Sequence, residues 1–534
     1  MEEEKDYGKR DEYDKYHLTT AKNRRPFFYD VTLRDGNQAL RNPWNLHEKE
    51  LVFNQLIKLG VQGIEVGFSG ASEMDFAACE HLAKLAPDNV VISGLARAVE
   101  RDIVMVWEAV KHAAQPRIHT FLATSPFNME NVLRMTPQQV KVKAVEAVAT
   151  CRKVMGGRGT IQFSAEHFGD SQENMDFVID LLQAVVAEGA HVINLPNTVE
   201  RYRPMLFVKM VERVVQALPK NVIVAVHTHN DLGMATATTV ESYFAGATQL
   251  ETALNGLGER AGNTNMYEVA CALANCGEDM PINMGEIYET ALKVSEWARV
   301  PIYEKAPLVG SDVVAHRSGI HQDGAAKTKG MKKGAYRAIE SNLIGRGESD
   351  RIGFTSQSGK TAVLEIIRGL GLPITLEEAA KIQPVLKKLS EQDGRGELND
   401  EEIVAVYNQE ILTVVGALEF KDIQLDMDGK KFVYDIVYQN QKHSLEGQGT
   451  GPIDACIHAL EKIDLHFHLI EYEQIGLDVE FLDFGAHALS EIKIQRKASS
   501  SAPAAGPVKI GRGKDLDTIR ANMKALFNGM NQLL

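Results

Sequence analysis

Residues 221–229 read NVIVAVHTH, an apolar run that ends on two histidines separated by a single residue. Alternate side chains of an extended strand share a face, so His227 and His229 point the same way, about 6.6 Å apart along the backbone and within reach of one divalent ion. Outward from this stretch the same rhythm repeats. FFYDVTL (27–33), GIEVGF (63–68), VVISGLA (90–96), RIHTFLA (117–123), TIQFSAE (160–166), HVINLP (191–196) and QLETALN (249–255) are β-rich, and with 221–229 they make eight runs. Segments between them, such as EKELVFNQLIKLG and MDFVIDLLQAVVAEG, space apolar residues by three and four and close on Gly, as amphipathic helices do. Eight βα repeats predict a closed parallel (β/α)8 TIM barrel, an α/β fold. A doubly wound sheet would carry a Gly-rich phosphate turn after its first strand, and none follows Leu33.

Polar residues gather where these strands end: Arg34 and Asp35, Glu65, His119, Glu166, Asn197 and Thr198, His227 and His229. In a (β/α)8 barrel those ends converge on one face, where the active site sits. The pattern predicts an enzyme. Two imidazoles want a harder third ligand, and Asp35, beside strands eight and two on the rim, completes a two-His, one-carboxylate set with open positions. An HxH pair taken alone is more often incidental; its place at a barrel strand end favours the metal reading.

The chain has 534 residues, enough for two or three packed units, and its 44% hydrophobic and 24% charged composition excludes wholesale disorder. With 58 Lys+Arg against 72 Asp+Glu the net charge is −14, which speaks against nucleic acid as a partner. The five cysteines include no CxxC and fit free thiols in a reducing compartment. The charged N-terminus carries no apolar signal core, and no apolar run of about 18 residues occurs, so a cytoplasmic protein without membrane contact is expected.

Four regions are expected: a charged N-terminal extension (1–25), the catalytic barrel (26–300), a helical accessory subdomain (301–400) and an α+β regulatory domain (401–534). Helices are predicted at about 361–370 and 376–391, before the EQDGRGELND turn cluster. Strand patterns return at ILTVVGALEF (411–420), KFVYDIVYQN after a Met-Asp-Gly turn, and LHFHLIEYEQI, with a helix near 453–463. KASSSAPAAGPVK (497–509) reads as a flexible loop, and RANMKALFNGMNQLL as a closing amphipathic helix.

TLRDGNQ (32–38), HTHND (227–231) and GLGERAGN (256–263), taken together, resemble the signatures of the metal-dependent Claisen-condensing barrel enzymes. SGIHQDG (318–324) resembles their accessory-domain signature, and GQGTGPIDACIHAL (447–460) is similar to the C-terminal effector domain of 2-isopropylmalate synthases. The resemblance runs from about residue 27 to the C-terminus. It implies an acyltransferase that condenses acetyl-CoA with an α-keto acid, 2-oxoisovalerate being the expected acceptor. It also implies leucine biosynthesis, a divalent metal (Mg, Mn or Zn), a monovalent cation activator, a homodimer and a leucine effector. Residue by residue, Asp35, His227 and His229 would hold the metal, with Asn263 as a direct or outer contact. Arg34 would stabilise charge on the acceptor oxygen, its alternative being an ion pair with Glu65 or Glu166. His321 would be the base, reaching a partner subunit's site, and Glu166 would orient the base or a water. His316 is assigned packing only. Gln38, Ser164 and Thr198 would bind substrate; Gly449, Gly451 and Pro452 would form the effector turn. Glu259 and Arg260 read as an internal ion pair.

Two features depart from the family pattern. IEVGFSGASEMDF and SGIHQDG belong to different dialects of it, and the accessory Tyr expected about a dozen residues before SQSGK (356–360) is missing. Glu348 stands near its place and Tyr336 lies earlier, which leaves that role unassigned. Citramalate or homocitrate synthase is the close alternative, because acceptor choice turns on a few pocket side chains. A biotin-dependent carboxyltransferase also uses a metal barrel, and NMK (522–524) mimics a biotinyl-lysine site, but Lys524 lies in a helical pattern near the end of the chain. A barrel decayed into a binding scaffold would not keep a complete metal set. The last third of the chain favours a regulated synthase over a lyase.

Overall fold

The computed structural model describes residues 25–331, 334–347, 350–392, 395–413, 416–425, 431–477, 487–497 and 505–534. Residues 1–24 of the N-terminal extension, Glu348, the Met-Asp-Gly turn and residues 498–504 of the Ala/Pro loop lie outside them. The described chain forms two compact units, one holding residues through Val314 with 337–347, the other the remainder.

In the first unit, β1 (Phe27–Asp30), β2 (Gly63–Glu65), β3 (Val91–Arg97), β4 (Gln115–Ala123), β5 (Thr160–Glu166), β6 (Val192–Asn197), β7 (Ile223–Thr228) and β8 (Gln249–Thr252) form a closed parallel barrel in sequence order. β1 closes on β8, with Tyr29 opposite Glu251. All eight expected strands are present. The first ends early because Asp30 accepts hydrogen bonds from the Thr32 N–H and hydroxyl, both at 2.8 Å. That turns the chain into a π-helical segment, Thr32–Gly36, which carries Arg34 and Asp35 over the barrel mouth. Helix boundaries follow local chemistry: Leu46–Leu59 starts on an Asn45/Glu48 capping box and ends on Gly60 at φ +83°, a left-handed conformation that favours glycine.

Along the strands, Phe28, Ile64, Ile92, Ile118, Phe163, Ile193, Val226 and Leu250 are fully buried in the layer against the helices. Each such side chain contributes about 1.5–3 kcal/mol of burial free energy. The alternate residues are polar and equally buried, among them Glu65, His119, Gln162, Ser164, Asn194 and Glu251. The barrel interior is therefore a hydrogen-bonded network rather than an apolar plug.

The second unit contains helices Gly319–Lys327, Lys360–Gly369, Leu376–Glu391 and Asp400–Tyr407. Two three-stranded antiparallel sheets follow, Leu418–Leu425 with Phe432–Tyr438 and Gln441–Gly447, then Phe467–Leu477 with His487–Arg496 and Val508–Asp515. Helices Pro452–Leu460 and Thr518–Asn531 pack on them. One expectation needs correction. Ile411 and Leu412 sit in a π-helical turn, Asn408–Leu412, and are buried with Ile403 and Tyr407 in the helical core, so that apolar run belongs to the helices and the strand begins at Leu418. SGIHQDG opens the helix Gly319–Lys327, which buries Gln322 so that its amide donates to the His316 and Gly353 carbonyls at 3.0 and 2.7 Å.

Arg512, 2% exposed, joins the second sheet to the accessory helices: it donates to Glu491 at 2.9 Å and to Glu378, which caps the helix beginning at Leu376. Removing one partner leaves buried charge uncompensated. Arg512→Met is expected to destabilise this unit by on the order of 3 kcal/mol, read by urea titration.

Candidate active site

The Asp35 carboxylate and the His227 and His229 rings are buried, with one ligand atom of each within 4.8 Å of the others. The two Nε2 atoms converge to 3.2 Å. His227 Nδ1 lies 3.1 Å from Glu251 Oε2; an ionised carboxylate only accepts, so Nδ1 carries a proton, and in the neutral ring Nε2 presents its lone pair. Burial and the neighbouring His227 push the His229 pKa down to about 3, which keeps that ring neutral. Asn263 donates from Nδ2 to Asp35 Oδ2 at 2.6 Å, while its Oδ1 and His229 Nδ1 are buried with no hydrogen-bond partner among the described residues. Two imidazoles, a carboxylate and an orphaned amide oxygen are the donor types a divalent ion takes, and the residues fit one.

Arg34 lies beside this set. Its Nε donates to Glu65 at 2.6 Å and its Nη1 to Asp35 at 2.7 Å. Burial opposes the guanidinium charge, but Glu65 and Asp35 more than offset it and hold the pKa above its ordinary value. Burial also works against the Asp35 charge, yet Arg34 and the two histidines keep its pKa below the usual carboxylate range. Arg34 thus makes the ion pair with Glu65 that is its alternative reading, and it also lines the cavity. His119 links Glu65, at 2.5 Å, to Ser164, at 2.6 Å.

The cavity above these residues measures about 220 Å³ and is lined by Arg34, Asp35, Ser164, Glu166, Thr198 and both histidines, with Leu95, Phe121 and Pro196 as its apolar wall. Burial raises the pKa of Glu166. The Thr198 hydroxyl accepts the His167 N–H at 2.9 Å, leaving its own hydrogen to donate. Arg260 does not pair with Glu259 as expected: it donates to Asp231 twice at 2.9 Å and to the Thr198 carbonyl at 2.6 Å, lacing three loops together. Gln38 is exposed on a short helical turn and does not line the cavity.

Within the second unit, His321 is exposed on its helix and stacks on Tyr336, with ring centroids 4.1 Å apart and planes 17° off parallel. That contact places a tyrosine beside His321 where the sequence left the role unassigned. His316 is buried at 6% exposure, as packing requires. Gly449 admits no Cβ, which would lie 2.5 Å from the Ala455 nitrogen; Gly451 and Pro452 open the helix Pro452–Leu460. Lys524 is mid-helix and pairs with Asp515 at 2.7 Å, not on a hairpin tip.

Glu251 and Asn194 were missed from sequence. The signal was there: in QLETALN and HVINLP, Glu251 and Asn194 fall on the same alternating face as Gln249 and Pro196, turned into the barrel.

Residues 25–294 match the HMGL-like family, 311–368 the alpha-isopropylmalate synthase post-catalytic domain-like family, and 397–534 the LeuA allosteric (dimerisation) domain. A protein named 2-isopropylmalate synthase 2 from Leptospira interrogans is 60% identical over 384 residues, covering 72% of this chain and 90% of that one. A 2-isopropylmalate synthase from Nitratidesulfovibrio vulgaris is 33% identical over 517 residues, 95% of this chain and 96% of its own, and one from Cupriavidus necator is 34% identical over 519 residues, at 95% and 96%. With an HMGL-like barrel, the post-catalytic segment and a LeuA domain in order, the chain belongs to the 2-isopropylmalate synthase family.

Proposed function

We propose that the chain condenses acetyl-CoA with 2-oxoisovalerate and hydrolyses the thioester, giving 2-isopropylmalate and CoA for leucine biosynthesis. The observation that carries this is the buried Asp35, His227 and His229 set with Arg34 on the floor of the cavity. Asp35, His227 and His229 would hold a divalent ion, with the Asn263 amide oxygen as a further donor, and that ion would supply Lewis acidity toward the α-keto acid. Arg34 faces the acceptor oxygen, where negative charge develops as the new C–C bond forms, and it is fixed in advance by Glu65 and Asp35. His321 takes the proton from the acetyl methyl group. Thr198 donates its free hydroxyl hydrogen to the acceptor carboxylate, and Ser164 lies across the cavity on His119. Glu166, whose pKa burial raises, directs the water that attacks the thioester; the C–S bond breaks and CoA leaves as the thiol.

The apolar wall of Leu95, Phe121 and Pro196 favours a branched alkyl group over a second carboxylate, since both cavity arginines are already paired with carboxylates. CoA thiol release should therefore be fastest with 2-oxoisovalerate, about tenfold or more above pyruvate in kcat/KM, with 2-oxoglutarate slower still. Faster turnover of pyruvate or 2-oxoglutarate would reassign the acceptor.

Dimer formation in the cytoplasm is supported by the LeuA match and by five cysteines that form no disulfide among the described residues. No helix of the described residues is long and apolar enough to cross a membrane. The turn at Gly449, Gly451 and Pro452 is assigned to leucine, which should lower the rate and raise the melting temperature. If saturating leucine moves neither, the domain serves dimerisation alone.

A further inference from the structure

Behind His227 runs a chain of buried hydrogen bonds that the chemistry above does not use. Glu251 Oε2 accepts from His227 Nδ1 at 3.1 Å and from Asn194 at 3.2 Å, and its Oε1 accepts from Gln162 at 2.7 Å and Gln249 at 3.2 Å. Both glutamine carbonyls accept from one group, Arg117 Nη1, at 3.1 Å from Gln162 Oε1 and 2.7 Å from Gln249 Oε1, and Gln162 Oε1 also accepts from the Gln249 amide at 2.9 Å. Arg117 lies on β4 two residues before His119, so one layer deeper in the barrel, and is 3% exposed.

The directions of these bonds are fixed from both ends, by the Glu251 carboxylate, which only accepts, and by Arg117, with the Gln249 amide also donating to Gln162. A guanidinium has donors only, so each glutamine must turn its oxygen toward Arg117 and therefore its NH2 away from it. Glu251 is then faced by N–H donors on both oxygens. No carboxylate forms an ion pair with Arg117 among the described residues; burial lowers its pKa, and the faces of Tyr29 and Phe27, with centroids at 5.7 and 6.0 Å, and the more distant Glu251 and Glu65 offset its buried charge only in part. A cation placed this deep and bonded to amides is an expensive way to fill space.

We propose that Arg117 is a positioning residue for the metal centre: by taking both glutamine carbonyls it commits their amides to Glu251, and Glu251 holds His227 in the Nδ1–H tautomer with its Nε2 lone pair turned into the site. The inference rests on the metal reading of Asp35, His227 and His229.

The test is the affinity of the full-length protein for Co²⁺, measured by competition with a chromophoric chelator and by the Co²⁺ absorption band, alongside thermal melting. Glu251→Gln is expected to weaken Co²⁺ binding about 10–100-fold, because the fixed amides of Gln162 and Gln249 demand the new carbonyl oxygen and leave an N–H facing His227 Nδ1. Arg117→Met alone should weaken it several-fold. In the double variant Gln162 and Gln249, which are bonded to each other, can turn together, the introduced amide oxygen at position 251 can face His227, and part of the lost affinity should return. A mere space-filling role predicts instead that Arg117→Met lowers the melting temperature, leaves Co²⁺ affinity within twofold of the parent, and restores nothing when combined with Glu251→Gln. That result would overturn the proposal. Gln162→Met keeps the volume and removes one link, so it should also weaken Co²⁺ binding several-fold; unchanged affinity there counts against the proposal even where Arg117→Met does not fold. Wild-type protein that binds no Co²⁺ at all refutes the metal reading itself, and this inference with it.

Discussion

Asp35→Asn should reduce product formation by more than about 10³-fold, with the divalent ion lost from the protein on dialysis. The substitution keeps the shape of the side chain and removes its charge. It takes away the one hard ligand of the set, and it frees Arg34 Nη1, now held at 2.7 Å, to swing toward Glu65. Because Asp35 sits in a short π-helical segment pinned separately by Asp30, the barrel should stay folded. Metal content by atomic absorption and the melting temperature distinguish the outcomes: a folded, metal-free, inactive protein is expected. A folded variant retaining its ion and more than a tenth of its turnover would remove Asp35 from the ligand set.

His321→Ala should lower kcat by about 10²- to 10⁴-fold, the range for removing a general base, while KM for 2-oxoisovalerate stays close to the parent value. The split follows from where the groups lie: the residues assigned to the acceptor line the barrel cavity, and His321 belongs to the helix Gly319–Lys327 of the other unit. Exchange of the acetyl-CoA methyl protons with deuterated water should disappear in the same variant. Tyr336→Phe preserves the ring stacked 4.1 Å from the imidazole and should cost far less, under about tenfold. If His321→Ala still exchanges methyl protons at the parent rate, another group is the base.

The strand positions and the metal set could be read because they rest on short-range rules. Alternation fixes which way His227 and His229 point, and eight βα repeats leave few topologies. Three things were hidden, each for a physical reason. Arg260 chose Asp231 over its sequence neighbour Glu259 because its backbone, at φ +57°, turns the side chain toward the β7 loop; sequence adjacency says nothing about such a turn. ILTVVGALEF read as a strand because an apolar run without period is ambiguous, and it was decided by the helical core that buries Ile411 and Leu412. The stack of Tyr336 on His321 joins residues fifteen apart through a loop whose path no local pattern specifies. Glu251 was legible in principle, as a charged residue alternating with Leu250 on a barrel strand, but its partners Gln162, Asn194 and His227 lie on β5, β6 and β7.

The metal-dependent condensation is tested most directly by stripping the protein with chelator, returning one divalent ion in steps, and following 2-isopropylmalate formed from acetyl-CoA and 2-oxoisovalerate. No product is expected from the stripped protein, and full recovery at about one ion per chain, with Asp35→Asn unrescued at the same ion concentration. Undiminished product from protein shown to hold no metal would contradict it.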